Sequence, residues 1–370
     1  MKIADELIHK INLVDYIMQS VDLVQNGDEW RGKCPLHKGD NPTSFVVYPD
    51  NHYYCYACGR SGNIIDYVAE RDNITYRSAI EELAKEIGIN LADSKTFQLE
   101  QKKIERVENV IQRTHEKVDS MREYLHNRGF TDETIDKFQL GENQGTLFIP
   151  IYDANGTPIG YTMRRFNSKP KYINPETNEI YEKGKVLFNL HNAKRIKSDK
   201  LYLVEGNLDA ISGDQMGLPT VAYCGAIPTD EQIALIKNTF REGKTIIFCP
   251  GNDDTGRRIV TRARNRFRRL PGFEVRVLVM PDDCKDMNDL LVAGVDPLSL
   301  ETIDIDKFIL MSDIKNYETR EQQYNYALQY MKDIKNPLIK NDCVKWLAKY
   351  WDEDITDLKE IFKSNIKDIT

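Results

Sequence analysis

Four residues, Cys34, His37, Cys55 and Cys58, constrain this chain more tightly than anything else in it. They form two short knuckles, Cys34-x2-His37 and Cys55-x2-Cys58, with 17 residues between them. Zinc takes four nitrogen or sulfur ligands in a tetrahedron, and two knuckles joined by a hairpin deliver such a set. Pro35 and Gly59 stand where each knuckle must bend. The intervening segment supplies the hairpin, because SFVVY and HYYCYA read as strands bounded by the turn-rich KGDNP, YPDN and CGRSGN. One structural zinc ion in a small ribbon is the expectation, with His52 outside the knuckles and not a ligand. The other cysteines, Cys224, Cys249, Cys284 and Cys343, are scattered among apolar neighbours. That distribution fits one metal site in a reducing compartment, not a disulfide framework.

Around the knuckles, Arg31, Lys33 and Lys38 mix with Phe45, Tyr48, Tyr53, Tyr54 and Tyr56. Cations meet phosphates and rings stack on unpaired bases, so single-stranded nucleic acid suits this patch. Some of those rings must also form the core of so small a domain. The whole chain gives no such hint, since its net charge is −7. At 370 residues it exceeds one ordinary core, so two or three domains are expected. No apolar run is long enough to cross a bilayer, and no membrane partner is expected. The opening MKIADELIHKINLVDYI mixes acids with bases, unlike a signal or transit peptide, which points to the cytoplasm.

Residues 1–25 read as helix, and residues 63–71 and 76–87 as two more. A polar Lys/Glu/Gln-rich stretch at 92–120 reads as a helical linker. A short helical pair then leads into alternating strands over 146–190. Residues 200–292 repeat a strand-then-helix rhythm, which implies a parallel sheet flanked by helices. The last 70 residues read as all-helical. The resulting division is a zinc-ribbon domain over 1–95, a linker over 96–120, an α+β subdomain over 121–198, an α/β domain over 199–298 and a helical tail over 299–370.

Three strands of the α/β segment open into acids. LYLV leads to Glu205 and Asp209, TIIFC to Asp253 and Asp254, and VRVLVMP to Asp286 and Asp289. Parallel strands place their carboxyl ends along one edge of the sheet, where ligands bind in open α/β folds. Clustered carboxylates there repel one another unless a hard cation neutralises them, and Mg²⁺ takes such oxygens. Helix N-capping would account for any one of these acids, but poorly for three strand ends together.

A Cys-x2-His…Cys-x2-Cys ribbon followed by VEG…D and the acid-rich GNDDTG turn resembles DnaG-type DNA primases, with a second half similar to their TOPRIM module. LFIPIYDANGTPIGYTMRR, PKYINPETNEIYEKGKVLFNL and YLHNRGFTDETIDKFQLG resemble the stretch before TOPRIM in that family. The likeness spans about residues 5–292, and the length and compact tail look more like a phage-encoded member. It implies RNA primer synthesis on a single-stranded DNA template from ribonucleoside triphosphates, with catalytic Mg²⁺ or Mn²⁺ and a replicative helicase as partner. It further implies that Glu205, Asp209, Asp253 and Asp286 are catalytic, with Glu205, Asp253 and Asp286 on magnesium. Arg164, Lys171, Asn174 and Lys183 match basic positions that grip template and nucleotide.

One position departs from the pattern. The first acid of the family's DxD pair falls at Gly251, and its third-site DPD reads Asp286-Met287-Asn288, which makes the second ligand there an amide. Impaired catalysis with the fold intact is the expectation. A primase-like DNA-binding protein is therefore one rival reading, and a TOPRIM nuclease or topoisomerase-like enzyme the other. The chain has no room for the large tyrosine-bearing domain of a topoisomerase.

Seven arginines lie between 257 and 269, and Arg258, Arg262, Arg266 and Arg269 fall on one helical face suited to a nucleic-acid backbone. Gly243-Lys244-Thr245 imitates part of a P-loop, but it precedes a strand and position 238 is Asn, so no ATP-driven motor is expected. The tail, with CVKWLAKYW, suits either a small bundle on the chain's own core or a partner surface.

Overall fold

The computed structural model describes residues 2–178, 180–240, 243–268, 270 and 272–363. The amino-terminal stretch is two helices instead of one, α1 (Lys2–Lys10) and α2 (Leu13–Met18). Asn12 separates them by capping α2, its side chain accepting from the Asp15 N–H. Strands β1 (Leu23–Asn26), β2 (Glu29–Gly32), β3 (Phe45–Tyr48), β4 (His52–Cys55) and β5 (Ser61–Gly62) then form an antiparallel meander in chain order. The two-residue period of a strand turns Phe45, Val47, Tyr53 and Cys55 to one side. There they share a core with Ile65 and Val68 of α3 (Ile64–Asp72) and Leu83 of α4 (Tyr76–Glu86).

The polar segment that reads as a linker is mostly a 21-residue helix, α5 (Lys95–His115), and it is packed along its length. Phe97 joins the ribbon core, and Ile104 and Ile111 are buried further on. Its last turn lies against Gly141, where a Cβ would fall 2.6 Å from the Thr114 carbonyl carbon. Only glycine permits that approach. Helices α6 (Asp119–Asn127) and α7 (Asp132–Lys137) follow, and then strands β6 (Gly141–Asn143), β7 (Thr146–Tyr152), β8 (Pro158–Arg164) and β9 (Tyr172–Ile173), antiparallel and in order.

After the short α8 (Leu190–Ala193), the chain alternates β10 (Lys200–Val204), α9 (Asn207–Gln215), β11 (Thr220–Ala222), α10 (Asp230–Thr239), β12 (Thr245–Cys249), α11 (Asp254–Phe267), β13 (Glu274–Leu278) and α12 (Met287–Ala293). The strands form a sheet in the order β11-β10-β12-β13, all parallel. Both faces are buried, as continuous apolar strands require. Leu201, Leu203, Ile246 and Phe248 meet Ile236, Val260 and Ile309 on one side. Tyr202, Val204, Ile247 and Cys249 meet Leu208, Leu290 and Ile149 on the other. The α+β subdomain and the α/β sheet therefore share one core.

The tail is not wholly helical. Thr302–Asp304 forms β14, antiparallel at the edge beside β13, and three residues are too few to leave a periodic signal. Helices α13 (Ile305–Asp313), α14 (Arg320–Lys332), α15 (Pro337–Trp351) and α16 (Ile355–Lys363) pack around Met331, Leu347 and Phe362. Arg264 of α11 anchors them, bonding Asp306 and lying 4.7 Å over the Tyr330 ring. Among the described residues, no helix is long and apolar enough to cross a membrane.

Candidate metal centre and carboxylate rim

The ligand atoms of Cys34, His37, Cys55 and Cys58 all lie within 4.8 Å of one another. A Zn–S bond of about 2.3 Å places tetrahedral ligands about 3.8 Å apart, and Cys55 Sγ is 3.8 Å from His37 Nδ1. At φ +77°, Gly59 turns the second knuckle back so that its N–H donates to the Cys55 carbonyl at 2.8 Å. Arg60 ties the knuckles together, donating to the Leu36 carbonyl at 2.5 Å and approaching Glu70 at 3.3 Å. Burial pushes the Cys34 thiol up to about 12, so three crowded thiolates need a cation beside them. This donor set fits one zinc ion. His52 stays outside it.

Strand register sets the outer face of the ribbon. Val24, Arg31, Val46, Tyr54 and Ser61 are cross-strand neighbours in one row. Tyr54 packs edge-on against Tyr56 at 4.8 Å, and Tyr56 is 54% exposed. Phe45 and Tyr53 are fully buried. The aromatic set thus divides into core rings and an outward pair beside a cation.

On the α/β sheet, Val204 pairs with both Ala222 and Cys249, and Phe248 with Val277, so the strands end level. Glu205 leaves β10 at that edge, and Asp209 sits in the first turn of α9. Asp253 caps α11 by accepting from the Gly256 N–H at 2.8 Å. Asp286 caps α12 by accepting from Asn288 and Asp289 at 3.1 and 3.0 Å. Capping and rim placement are both true of these two acids. Asp254 is exposed and pairs with Arg257 at 2.6 Å, while Asp289 accepts from the Lys285 N–H at 2.8 Å.

The acids feel one another. Burial, then Asp286 and Glu205, push Asp209 up to about 7. Glu205 keeps an exposed edge, yet partial loss of hydration and then Asp253 shift it upward. The Lys285 ammonium, 2.8 Å away, holds Asp253 below the usual carboxylate range, helped by the Gly256 N–H. Among the described residues the Cys/His set is the one group of three or more such ligand atoms gathered closely enough for a single ion, so the acids share a rim without forming a closed cage. Gly251 follows β12 closely, and a Cβ there would meet nothing nearer than Asp253 Oδ1 at 3.8 Å.

A basic wall stands close to the rim. Arg164 donates to the Tyr172 hydroxyl at 2.9 Å and lies 5.7 Å over the Tyr124 ring, with its Nε buried and unpaired among the described residues. Burial, then Arg164 and Arg128, lower the Lys171 pKa, and Asp286 is near enough to oppose them. Asn174 accepts from Thr162 at 2.8 Å and lines a small recess with Lys183 and Cys224. The Cys224 N–H donates to the Glu205 carbonyl at 3.0 Å.

The arginine face is divided. Arg258 and Arg262 are exposed and form no ion pair with described residues. Arg266 bonds the Pro228 carbonyl and approaches Asp230 at 3.5 Å, and Arg269 lies outside the described residues. Asn288, expected as an amide ligand, also closes a clasp. Its amide oxygen accepts from Arg128 at 2.8 Å and its nitrogen donates to the Arg128 carbonyl and Ser212, both at 2.9 Å. Arg128 and Lys285 were missed, because each meets the rim across long sequence separations that local patterning cannot show.

A zinc-clipped ribbon joined to an acid-rimmed α/β sheet defines a TOPRIM-type nucleic-acid protein. Residues 1–99 match the CHC2 zinc finger family, 143–194 the DNA primase catalytic core, N-terminal domain, and 202–291 the Toprim-like family. The DNA primase of Thermotoga maritima is 28% identical over 78% of this chain, which spans 59% of that relative's length. The Aquifex aeolicus primase structure, with zinc binding and RNA polymerase domains, shares the fold at TM-score 0.52 and 23% identity, covering 96% of this chain and 98% of that one. A DnaG primase catalytic domain bound to ssDNA matches at TM-score 0.53 and 20% identity, over 68% of this chain and 98% of that one. The chain therefore carries the domain set of a DnaG-type DNA primase in order: a CHC2 zinc ribbon, the N-terminal domain of the catalytic core and a Toprim-like domain.

Proposed function

We propose that this chain makes short RNA primers on single-stranded DNA in the cytoplasm, by nucleotidyl transfer from ribonucleoside triphosphates with Mg²⁺ or Mn²⁺. The observation that carries this reading is the meeting of Glu205, Asp209, Asp253 and Asp286 with Lys171, Lys285 and the Arg164–Arg128 pair at one sheet edge. Glu205, Asp253 and Asp286 offer the hard oxygen donors that Mg²⁺ takes, and would hold it. Bound there, the ion neutralises phosphate charge and makes a 3′-hydroxyl more acidic. Arg164, Lys171 and Lys183 offset the triphosphate's charge, and Asn174 helps to orient the nucleotide. The ribbon's outward Tyr54, Tyr56 and Arg31 take the template by stacking and charge, and Arg258 and Arg262 extend that contact along α11.

Gly251 supports a second reading, a catalytically weakened primase that still binds DNA. One assay separates the possibilities: incubation with single-stranded DNA, labelled ribonucleotides and Mg²⁺ or Mn²⁺. Labelled short RNA supports primer synthesis, binding without product supports the weakened form, and template degradation refutes both in favour of a nuclease. A replicative helicase is a further partner in this reading, and residues 299–370 either carry that contact or serve only to pack on the chain's own core. Co-migration with the helicase that survives truncation at residue 300 would leave them the packing role alone.

A further inference from the structure

The turn after β12 brings one carboxylate to the rim, Asp253, because Gly251 carries no donor and the exposed Asp254 pairs with Arg257 at 2.6 Å. Both oxygens of Asp253 have partners. Oδ1 accepts from the Gly256 N–H at 2.8 Å, and Oδ2 meets the Lys285 ammonium at 2.8 Å. A Cβ at 251 would stand 3.8 Å from Oδ1 and 4.0 Å from Oδ2, so the ammonium and position 251 flank the same carboxylate.

The Lys285 backbone is fixed independently of that contact. Its carbonyl accepts from the Asn252 N–H at 2.7 Å, and its own N–H donates to Asp289 at 2.8 Å. The Asn252 amide also donates to the Pro281 and Cys284 carbonyls at 3.1 and 3.4 Å, which ties the turn to the loop that carries Lys285. The Lys285 and Asp253 side chains stay 63% and 39% exposed. So exposed a pair contributes little to stability, and the ammonium still faces a phosphate arriving at the rim. Where two divalent ions serve a phosphoryl transfer, one attends the attacking oxygen and the other the leaving oxygen. At the Asp253 end of this rim a compact point charge on a fixed backbone stands beside a single carboxylate. We infer that Lys285 supplies there the positive charge a second divalent ion would bring, so that this chain works with one ion and one lysine, an inference that rests on the primase reading above.

The test measures two affinities of the full, zinc-loaded chain. Loss of the free-Mn²⁺ electron paramagnetic resonance signal gives the first, and equilibrium binding of ATP at saturating Mg²⁺ gives the second. One rim ion is expected in the parent chain. Lys285→Gln removes a like charge beside an ion ligand, so Mn²⁺ should bind about fivefold or more tighter while ATP binds about tenfold weaker. Lys285→Arg, which keeps the charge, should hold both affinities within about threefold of the parent. Adding Gly251→Asp to Lys285→Gln should bring in a second Mn²⁺ and restore most of the lost ATP affinity. A lysine that only braced the loop would give losses in both affinities and no recovery by Gly251→Asp. That pattern, unchanged affinities in Lys285→Gln, or two rim ions in the parent chain would overturn the inference and leave the primase reading standing on the labelled-RNA assay. A parent chain that binds neither Mn²⁺ nor ATP would overturn both.

Discussion

Replacing Gly251 by Asp introduces the acid that the primase proposal expects at this position, and the turn has room for it. A Cβ at 251 meets only the Asp253 carboxyl group, no nearer than 3.8 Å, an ordinary contact, so the change carries no steric cost. Its cost is electrostatic. Two carboxylates about 4 Å apart repel by about 1 kcal/mol in water and about 4 at the effective permittivity of a protein surface. The Lys285 ammonium, 2.8 Å from Asp253, offsets part of this. A net destabilisation of about 1–2 kcal/mol remains, which lowers Tm by about 2–8 °C in a domain of this size. Divalent metal should reverse the sign. At about one hundred times its Kd, a ligand stabilises the folded state by about 2.7 kcal/mol, more than the repulsion. The Gly251→Asp variant should therefore melt below the parent chain in chelator and above it in Mg²⁺. A gained carboxylate contact worth about 3 kcal/mol corresponds to a gain of more than about 100-fold in primer synthesis. Melting curves with and without Mg²⁺ and a labelled-primer assay test the two halves separately, with Gly251→Asn as the uncharged control. Unchanged melting order in Mg²⁺ and unchanged primer yield would refute the missing-acid argument.

Three further outcomes follow from the geometry. Cys55→Ser removes one of four zinc ligands, and since structural zinc contributes about 10–16 kcal/mol in small peptides, zinc content should fall to near zero and the ribbon should become protease-sensitive while the α/β sheet keeps its melting transition. Reversing Arg258 and Arg262 to Glu should weaken single-stranded DNA binding and flatten the log–log salt slope by about 1.4, at about 0.7 per lost phosphate contact; an unchanged slope would remove α11 from the interface. His191 is held down to about 3, by burial first and then by Arg195 and Lys194, against an ordinary value near 6.5. The unfolded chain thus takes up this proton first, so the contribution of the neutral ring is complete above about pH 6.5 and is lost as pH falls toward 3. About 2 kcal/mol should disappear by pH 5, and urea unfolding at pH 7 and pH 5 should show this loss in the parent chain but not in His191→Gln.

The zinc site was legible because its chemistry is local: ligands, knuckle spacing and bending residues all fall within 26 positions, and all four ligand atoms meet. The parallel sheet was legible because a strand buried on both faces is apolar without interruption, as in TIIFC and LYLV. What escaped is what distance along the chain conceals. Arg128 meets Asn288 across 160 residues, so the residue expected as an amide ligand also clasps the end of α6 to α12. α5 looked like a free linker because its buried Ile104 and Ile111 are sparse among charges, and only the partner surfaces show that they are covered. Arg258, Arg262, Arg266 and Arg269 read as one face, yet Arg266 is tied to Asp230 and to the Pro228 carbonyl. Charge by itself does not tell a solvated residue from a paired one.

The ribbon is fixed to the α+β and α/β half as well as joined to it. Lys194 and Asp66 lie 3.3 Å apart with side chains only 13% and 11% exposed, and Lys197 donates to the Ala57 carbonyl at 2.7 Å. Ala57 lies between Cys55 and Cys58, so the acceptor of that hydrogen bond is part of the metal knuckle itself. Gly62 leaves no room for a side chain because Asp66 fills the space, where a Cβ would fall 2.3 Å from the Asp66 Cβ. The docking acid is thereby held in place by the ribbon's own backbone. Breaking one partner of a well-buried pair costs about 3–5 kcal/mol, far more than an exposed pair is worth. The zinc ligands consequently determine two things together: whether the ribbon is folded, and whether a surface exists for the core to hold. A ribbon positioned in this way is coupled to the carboxylate rim through rigid contacts and the continuous helix α5, so losing the metal should displace the arm from the core even where the acids of the rim stay in place.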